Sequence, residues 1–129
     1  MAEYSGTPLP RKLGIKPGHR VLLTGSPGGF ELRGVDHHRR PGPEPYDVIV
    51  LFCPDQAALH DRFPGAKARL AKNGGLWVCW PKRASRVPTD LGDGVVREYG
   101  LARGLVDNKV ASIDAVWSGL RFVYRLTDR

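Results

Sequence analysis

The sequence has little cysteine: Cys53 and Cys79 are its only thiols, each closing an apolar run, DVIVLFC and GLWVC. Two thiols are too few for a disulfide framework or an all-cysteine zinc centre, and at the end of an apolar run the ordinary occupant is a reduced, buried side chain. No apolar run approaches the roughly 20 residues that span a bilayer, and the opening MAEYSGTPLPRK lacks the apolar core of a signal peptide. A cytoplasmic protein with no membrane partner is the expectation.

Acidic residues are also in short supply. The 13 Asp and Glu against 20 Lys and Arg leave a formal charge of +7, a field that favours anionic partners. The cations are spread over separate segments, as Arg11, Lys12 and Lys16, Arg39 and Arg40, Lys67, Arg69 and Lys72, then Lys82, Arg83 and Arg86. Scatter of that kind describes a solvated surface, so any association with nucleic acid is expected to be weak. Catalytic signatures are missing as well. Ser26, Ser85 and Ser118 lie in no nucleophile elbow, no two carboxylates are placed together by their spacing, and there is no internal repeat.

What is present suits one domain: 129 residues, 41% of them hydrophobic, enough to bury about two thirds of the unfolded chain's surface. Residues 1–12 read as an extended N-terminal arm. RVLLT (Arg20 to Thr24) is a short strand, running into the glycine turn of LLTGSPGGF, where Gly25 or Ser26 can cap a weak helix after Pro27. RGVDHHRRPGPEP (Arg33 to Pro45) is an irregular loop. The unbroken run Asp47 to Cys53 predicts a strand buried on both faces. Helical spacing of Ala58, Leu59, Phe63, Ala66 and Leu70 predicts a helix over 55–72, capped by Asp55 and kinked or split at Pro64. Leu76 to Trp80 is a third strand, Asp90 to Ala102 a second helix, and Lys109 to Ile113 and Leu120 to Leu126 a closing antiparallel pair turned at Ser118–Gly119.

Several of these strings resemble a known family. Leu13 to Phe30 is similar to the lead-in, first strand and glycine loop of Rossmann-like S-adenosylmethionine methyltransferases, in which YDVIVLF corresponds to the fourth strand, RLAKNGGLWVCWPK to the turn and fifth strand, and LVDNKVASIDAVWSGLRFVYRL to the closing hairpin. More closely, YSGTPL, LGIKPG, GGLWVCWPKRAS, LVDNKV and WSGLRF together resemble a family of small bacterial proteins classed as a domain of unknown function. The resemblance implies an α/β fold: a single Rossmann-like three-layer domain, with a mostly parallel sheet of about five strands and a C-terminal antiparallel hairpin. It also implies what is missing. Thr24 stands where those enzymes commonly carry an acidic residue, and the short span from Gly25 to Tyr46 leaves no room for their second and third strands. The carboxylate that grips the cofactor's ribose goes with those strands, Glu31 and Asp36 being the available substitutes. No cofactor is therefore expected.

In an open α/β sheet ligands bind beyond the carboxyl ends of the strands. Gly25, Ser26, Gly28, Gly29, Trp80, Lys82 and Arg83 all fall there. One reading joins them into an anion pocket, with turn N–H groups and the two cations facing a phosphate or carboxylate; the other makes the glycines a tight turn and the cations solvated. Trp80 with Pro81 offers a shelf for a planar ligand or, like Trp77 and Trp117, a core filler. His37 and His38 are adjacent, unlike ligands of one metal ion, and no metal site is expected. Asp107, Asn108 and Lys109 fit a turn before a strand. The function these features imply is non-catalytic binding of a small anionic or nucleotide-like ligand or a protein partner, with a divergent methyltransferase and a nucleic-acid-binding protein as alternatives.

Overall fold

The computed structural model describes residues 7–129. Its strands are β1 (Val21–Thr24), β2 (Tyr46–Phe52), β3 (Leu70–Pro81), β4 (Leu105–Ser112) and β5 (Trp117–Tyr124), joined into one sheet in the order β1-β2-β3-β5-β4. β1 pairs parallel with β2 and β2 with β3, while β5 lies antiparallel between β3 and β4. Parallel and antiparallel interfaces are thus equal in number, which corrects the expectation of a mostly parallel sheet. The cause is the order of events after β3. The chain crosses to the outer edge as β4 and then doubles back, so the returning strand fills the gap and makes both of its contacts antiparallel.

The three-layer expectation is corrected too. Helices α2 (Gln56–Ala68) and α3 (Asp93–Ala102) lie against one face, where Leu59, Phe63, Ala66 and Val96 join Ile49, Leu51, Val78, Leu120 and Phe122 in one apolar cluster. The opposite face buries Val21, Leu23, Val48, Val50, Phe52, Trp77 and Cys79 under irregular chain: Leu13, Phe30, Leu32, Val35 and the single helical turn α1 (Leu9–Lys12). No helix follows β1, because residues 25–45 are rich in Gly, Pro and charge and cover the sheet as coil. The extended N-terminal arm expected over 1–12 falls partly outside the described residues, and its last four form α1 instead.

The coil cover is pinned at a few points. Trp77 Nε1 donates to the Leu13 carbonyl at 3.0 Å. The buried Tyr46 hydroxyl accepts from Gly42 N at 2.8 Å and meets His38 Nδ1 at 2.5 Å. His38 also bonds through its backbone to Val21 O (2.9 Å) and from Leu23 N (2.8 Å), which blunts the free edge of β1. The DHHRR segment is thereby a lid on a sheet edge.

Element boundaries shift for local reasons. Asp55 caps α2 by accepting from Ala58 N at 2.9 Å, and the helix runs through Pro64 unbroken: the proline forgoes one backbone bond while Leu59, Phe63 and Ala66 hold the helix to the sheet. It stops at Ala68 because the Arg69 carbonyl accepts from Tyr46 N at 2.8 Å, drawing the chain into β3. α3 begins at Asp93 and not at Asp90, whose carboxylate instead accepts from Gln56 N at 2.8 Å. Ser118 and Gly119 lie inside β5; the turn is set by the Asp114 carboxylate, which accepts from Val116 N and Trp117 N at 2.8 Å each.

Candidate anion-binding cleft

The glycine turn after β1 is closed by arginine side chains from elsewhere in the chain. Gly25 has φ +69°, and a Cβ there would lie 2.6 Å from Arg62 Nη1 and 2.9 Å from the Phe52 carbonyl oxygen. Arg62 Nη1 donates to that same carbonyl at 2.6 Å. Beside it, Arg39 Nη1 donates to Ser26 Oγ at 2.9 Å and Nη2 to the Phe30 carbonyl at 3.3 Å. Both guanidinium groups at the turn are therefore committed to holding it shut. Gly28 and Gly29 face open space, Gly29 at φ +86°. Arg62 packs against the backbone of Gly25, and Glu31, one of the two carboxylates available for a ribose, is turned to solvent in an ion pair with Arg33 at 2.8 Å.

Two strands away, the other half of the expected pocket opens into a cleft of about 620 Å³. Its floor is Trp80, Val110 and Ser118 on the helix-covered face of the sheet, and its walls are the segment from Lys82 to Thr89 and the start of α3 at Gly92 and Asp93. Lys82 emerges at the end of β3 and reaches across β5, its Nζ donating to Ser112 Oγ at 2.7 Å. Arg83 begins a 3₁₀ turn, and Arg86 ends it in the left-handed conformation at φ 64°, its N–H donating to the Arg83 carbonyl at 3.0 Å. Arg86 is the only non-glycine residue with positive φ among the described residues. Such a residue stores roughly 1–3 kcal/mol of strain unless its surroundings fix it. Ser85 Oγ donates to the Lys82 carbonyl (2.7 Å) and accepts from Val87 N (3.2 Å), and Thr89 Oγ1 donates to Pro54 O (2.7 Å) and accepts from Leu91 N (3.1 Å), so the wall is internally braced.

The structure thus brings Trp80, Lys82 and Arg83 together and places Gly25, Ser26, Gly28 and Gly29 outside the cleft. Trp80 is 5% exposed, a floor under the cleft more than a stacking shelf. Sequence reasoning put Arg86 at the same strand end without choosing it as a pocket cation, and missed Asp93 and Ser118 as lining residues. The WPKRASR run held a signal for Arg86, since a turn that begins at Lys82 returns the chain one 3₁₀ turn later; nothing in the sequence placed β5 next to β3 and so brought in Ser118.

Elsewhere, Cys53 belongs to the helix-side cluster and Cys79 to the opposite one, so the sheet separates the thiols. Burial pushes the Cys53 thiol up to about 12 from an ordinary 9.0, opposed in part by the Arg62 charge, and burial raises Cys79 well above its ordinary value. Asp107 lies within β4 and pairs with Arg97 of α3 at 2.9 Å, and Lys109 follows a bulge in the same strand. Among the described residues no cluster of His, Cys, Asp and Glu is placed to hold a metal ion, and no helix is long and apolar enough to cross a membrane. No protein-family model matches the chain, and no curated protein does.

Proposed function

We propose that the chain binds a small anionic or nucleotide-like ligand in the cleft between Trp80 and Asp93. One observation carries this reading: Arg83 and Arg86 line the cleft of about 620 Å³ together with no side-chain hydrogen bond or ion pair among the described residues, whereas many of the other cations are engaged. Arg20, Arg39, Arg62, Lys67, Arg125 and Arg129 donate to backbone carbonyls, and Arg33 and Arg97 pair with carboxylates. Two free guanidinium forks beside one cavity match the geometry of a phosphate or carboxylate. The volume falls in the range of small-molecule sites, on the order of 300–1,000 Å³. The cleft's chemistry supports binding without turnover, because no hydrogen bond among its lining residues joins a nucleophile to a base.

A protein partner presenting an acidic side chain is the second reading. It is favoured by Val87 and Val110, 42% and 61% exposed beside the same arginines.

Calorimetric titration of inorganic phosphate and adenosine monophosphate tests the proposal. Arg83→Ala with Arg86→Ala is expected to weaken binding by about tenfold or more, the scale of losing charge-assisted hydrogen bonds. Unchanged affinity in the double variant overturns it. RNA association is expected to fall as the 0.7 to 0.9 power of salt per phosphate contact and to vanish near 0.2 M salt; survival beyond that would move the function to nucleic acid.

A further inference from the structure

Asp93 runs against the charge of the cleft it lines. It is the first residue of α3, whose N-cap Gly92 supplies no side-chain hydrogen bond, and a carboxylate there is favoured by the helix dipole. That accounts for its place in α3. It does not account for an anion receptor with a carboxylate in its wall, where a bare phosphate held by Arg83 and Arg86 would be repelled.

The Asp93 carboxylate is exposed at the edge of the cleft and accepts no hydrogen bond among the described residues, so it is open to solvent and to a ligand. Its field reaches Arg97 on the same helix, but that guanidinium is already held by Asp107 at 2.9 Å. Across the cleft stand Lys82, Arg83 and Arg86, and on the floor the Ser118 hydroxyl, also without a side-chain hydrogen bond. An ionised carboxylate only accepts, so a ligand group that replaces solvent against it must donate. Neighbouring hydroxyls of a sugar can donate to its two oxygens while the ester's phosphate keeps to the arginines, and Trp80, Leu91 and Val110 offer apolar surface to the rest of the molecule.

We infer that Asp93 makes the cleft selective for hydroxyl-bearing phosphate esters, of the sugar-phosphate and nucleotide class, over bare anions. This rests on the anion-cleft reading above.

The test compares inorganic phosphate, phenyl phosphate, ribose 5-phosphate, adenosine monophosphate and glutamate on the wild-type chain and on Asp93→Asn, by calorimetry at fixed salt. In the wild type the two ribose esters bind more tightly than inorganic or phenyl phosphate. Asp93→Asn weakens the ribose esters by about tenfold while inorganic and phenyl phosphate hold or tighten. Asp93→Ser, which keeps a good helix-start residue without the charge, replaces it if the Asn variant folds poorly. Equal loss or equal gain across all phosphates overturns the inference and leaves the anion cleft standing, as does a wild-type preference for glutamate, whose ammonium would be the donor. No binding of any of the five overturns both.

Discussion

The indole N–H of Trp77, in the middle of β3, donates to the carbonyl of Leu13 at 3.0 Å, a bond across 64 residues of sequence between groups that are both fully buried. It fastens the N-terminal segment to a sheet face covered only by irregular chain and the single turn of α1. Trp77→Phe keeps an aromatic ring but orphans the Leu13 carbonyl and leaves a void, so a loss of about 2–3 kcal/mol is expected in urea denaturation. Hydrogen exchange should rise selectively over residues 9–15. A loss spread evenly over the sheet would show that the bond fastens nothing in particular.

The glycine turn supplies a contrast between positions. Gly25→Ala places a methyl against Arg62 Nη1 and the Phe52 carbonyl at a positive φ, so it should cost more than about 1 kcal/mol. Gly28→Ala meets nothing within 4 Å and should be neutral or slightly stabilising, by restricting the unfolded chain. Thermal melts of the two variants decide it. Similar melting temperatures would mean that Arg62 yields easily and that the turn is open to ligands.

Much of the architecture was legible because it is written in local patterns. The buried runs of β2 and β3, the Asp55 cap and the amphipathic spacing of α3 each announce themselves within a dozen residues. The sheet order was not legible, since inserting β5 between β3 and β4 depends on pairings such as Val78 with Leu120, 42 residues apart, that no local period encodes. The same limit divided the candidate site. Gly25 and Lys82 share a sheet edge by topology, but only the folded chain shows that Arg62 and Arg39 close the glycine turn while Arg83 and Arg86 stay free. The roles of Asp90 and Asp114 were hidden for a related reason: a carboxylate that caps its neighbour's helix or sets a turn looks, in sequence, like any polar residue near a boundary.

The cysteines give the last prediction, a pH dependence. Folding raises the Cys53 thiol to about 12 from 9.0, chiefly by desolvation, and raises Cys79 in the same direction for the same reason. Above pH 9 the unfolded chain loses these protons while the folded chain keeps them, so the unfolded state binds fewer protons and stability falls as pH rises. The Cys53 contribution is fully present below pH 9 and declines between about 9 and 12, with a limiting slope of about 1.4 kcal/mol per pH unit, and Cys79 acts in the same direction. Lysine and tyrosine ionise in the same range, so the measurement is the difference between the wild-type chain and Cys53→Ala. Stability of the variant should approach that of the wild type as pH rises from 8 to 10.5, because the wild type alone loses the Cys53 contribution. A constant difference would show that the thiol ionises in place. Iodoacetamide at pH 8 checks the same burial directly: both thiols should stay unmodified in the folded chain, and, with the sheet between them, an oxidant should leave the monomer without an internal disulfide.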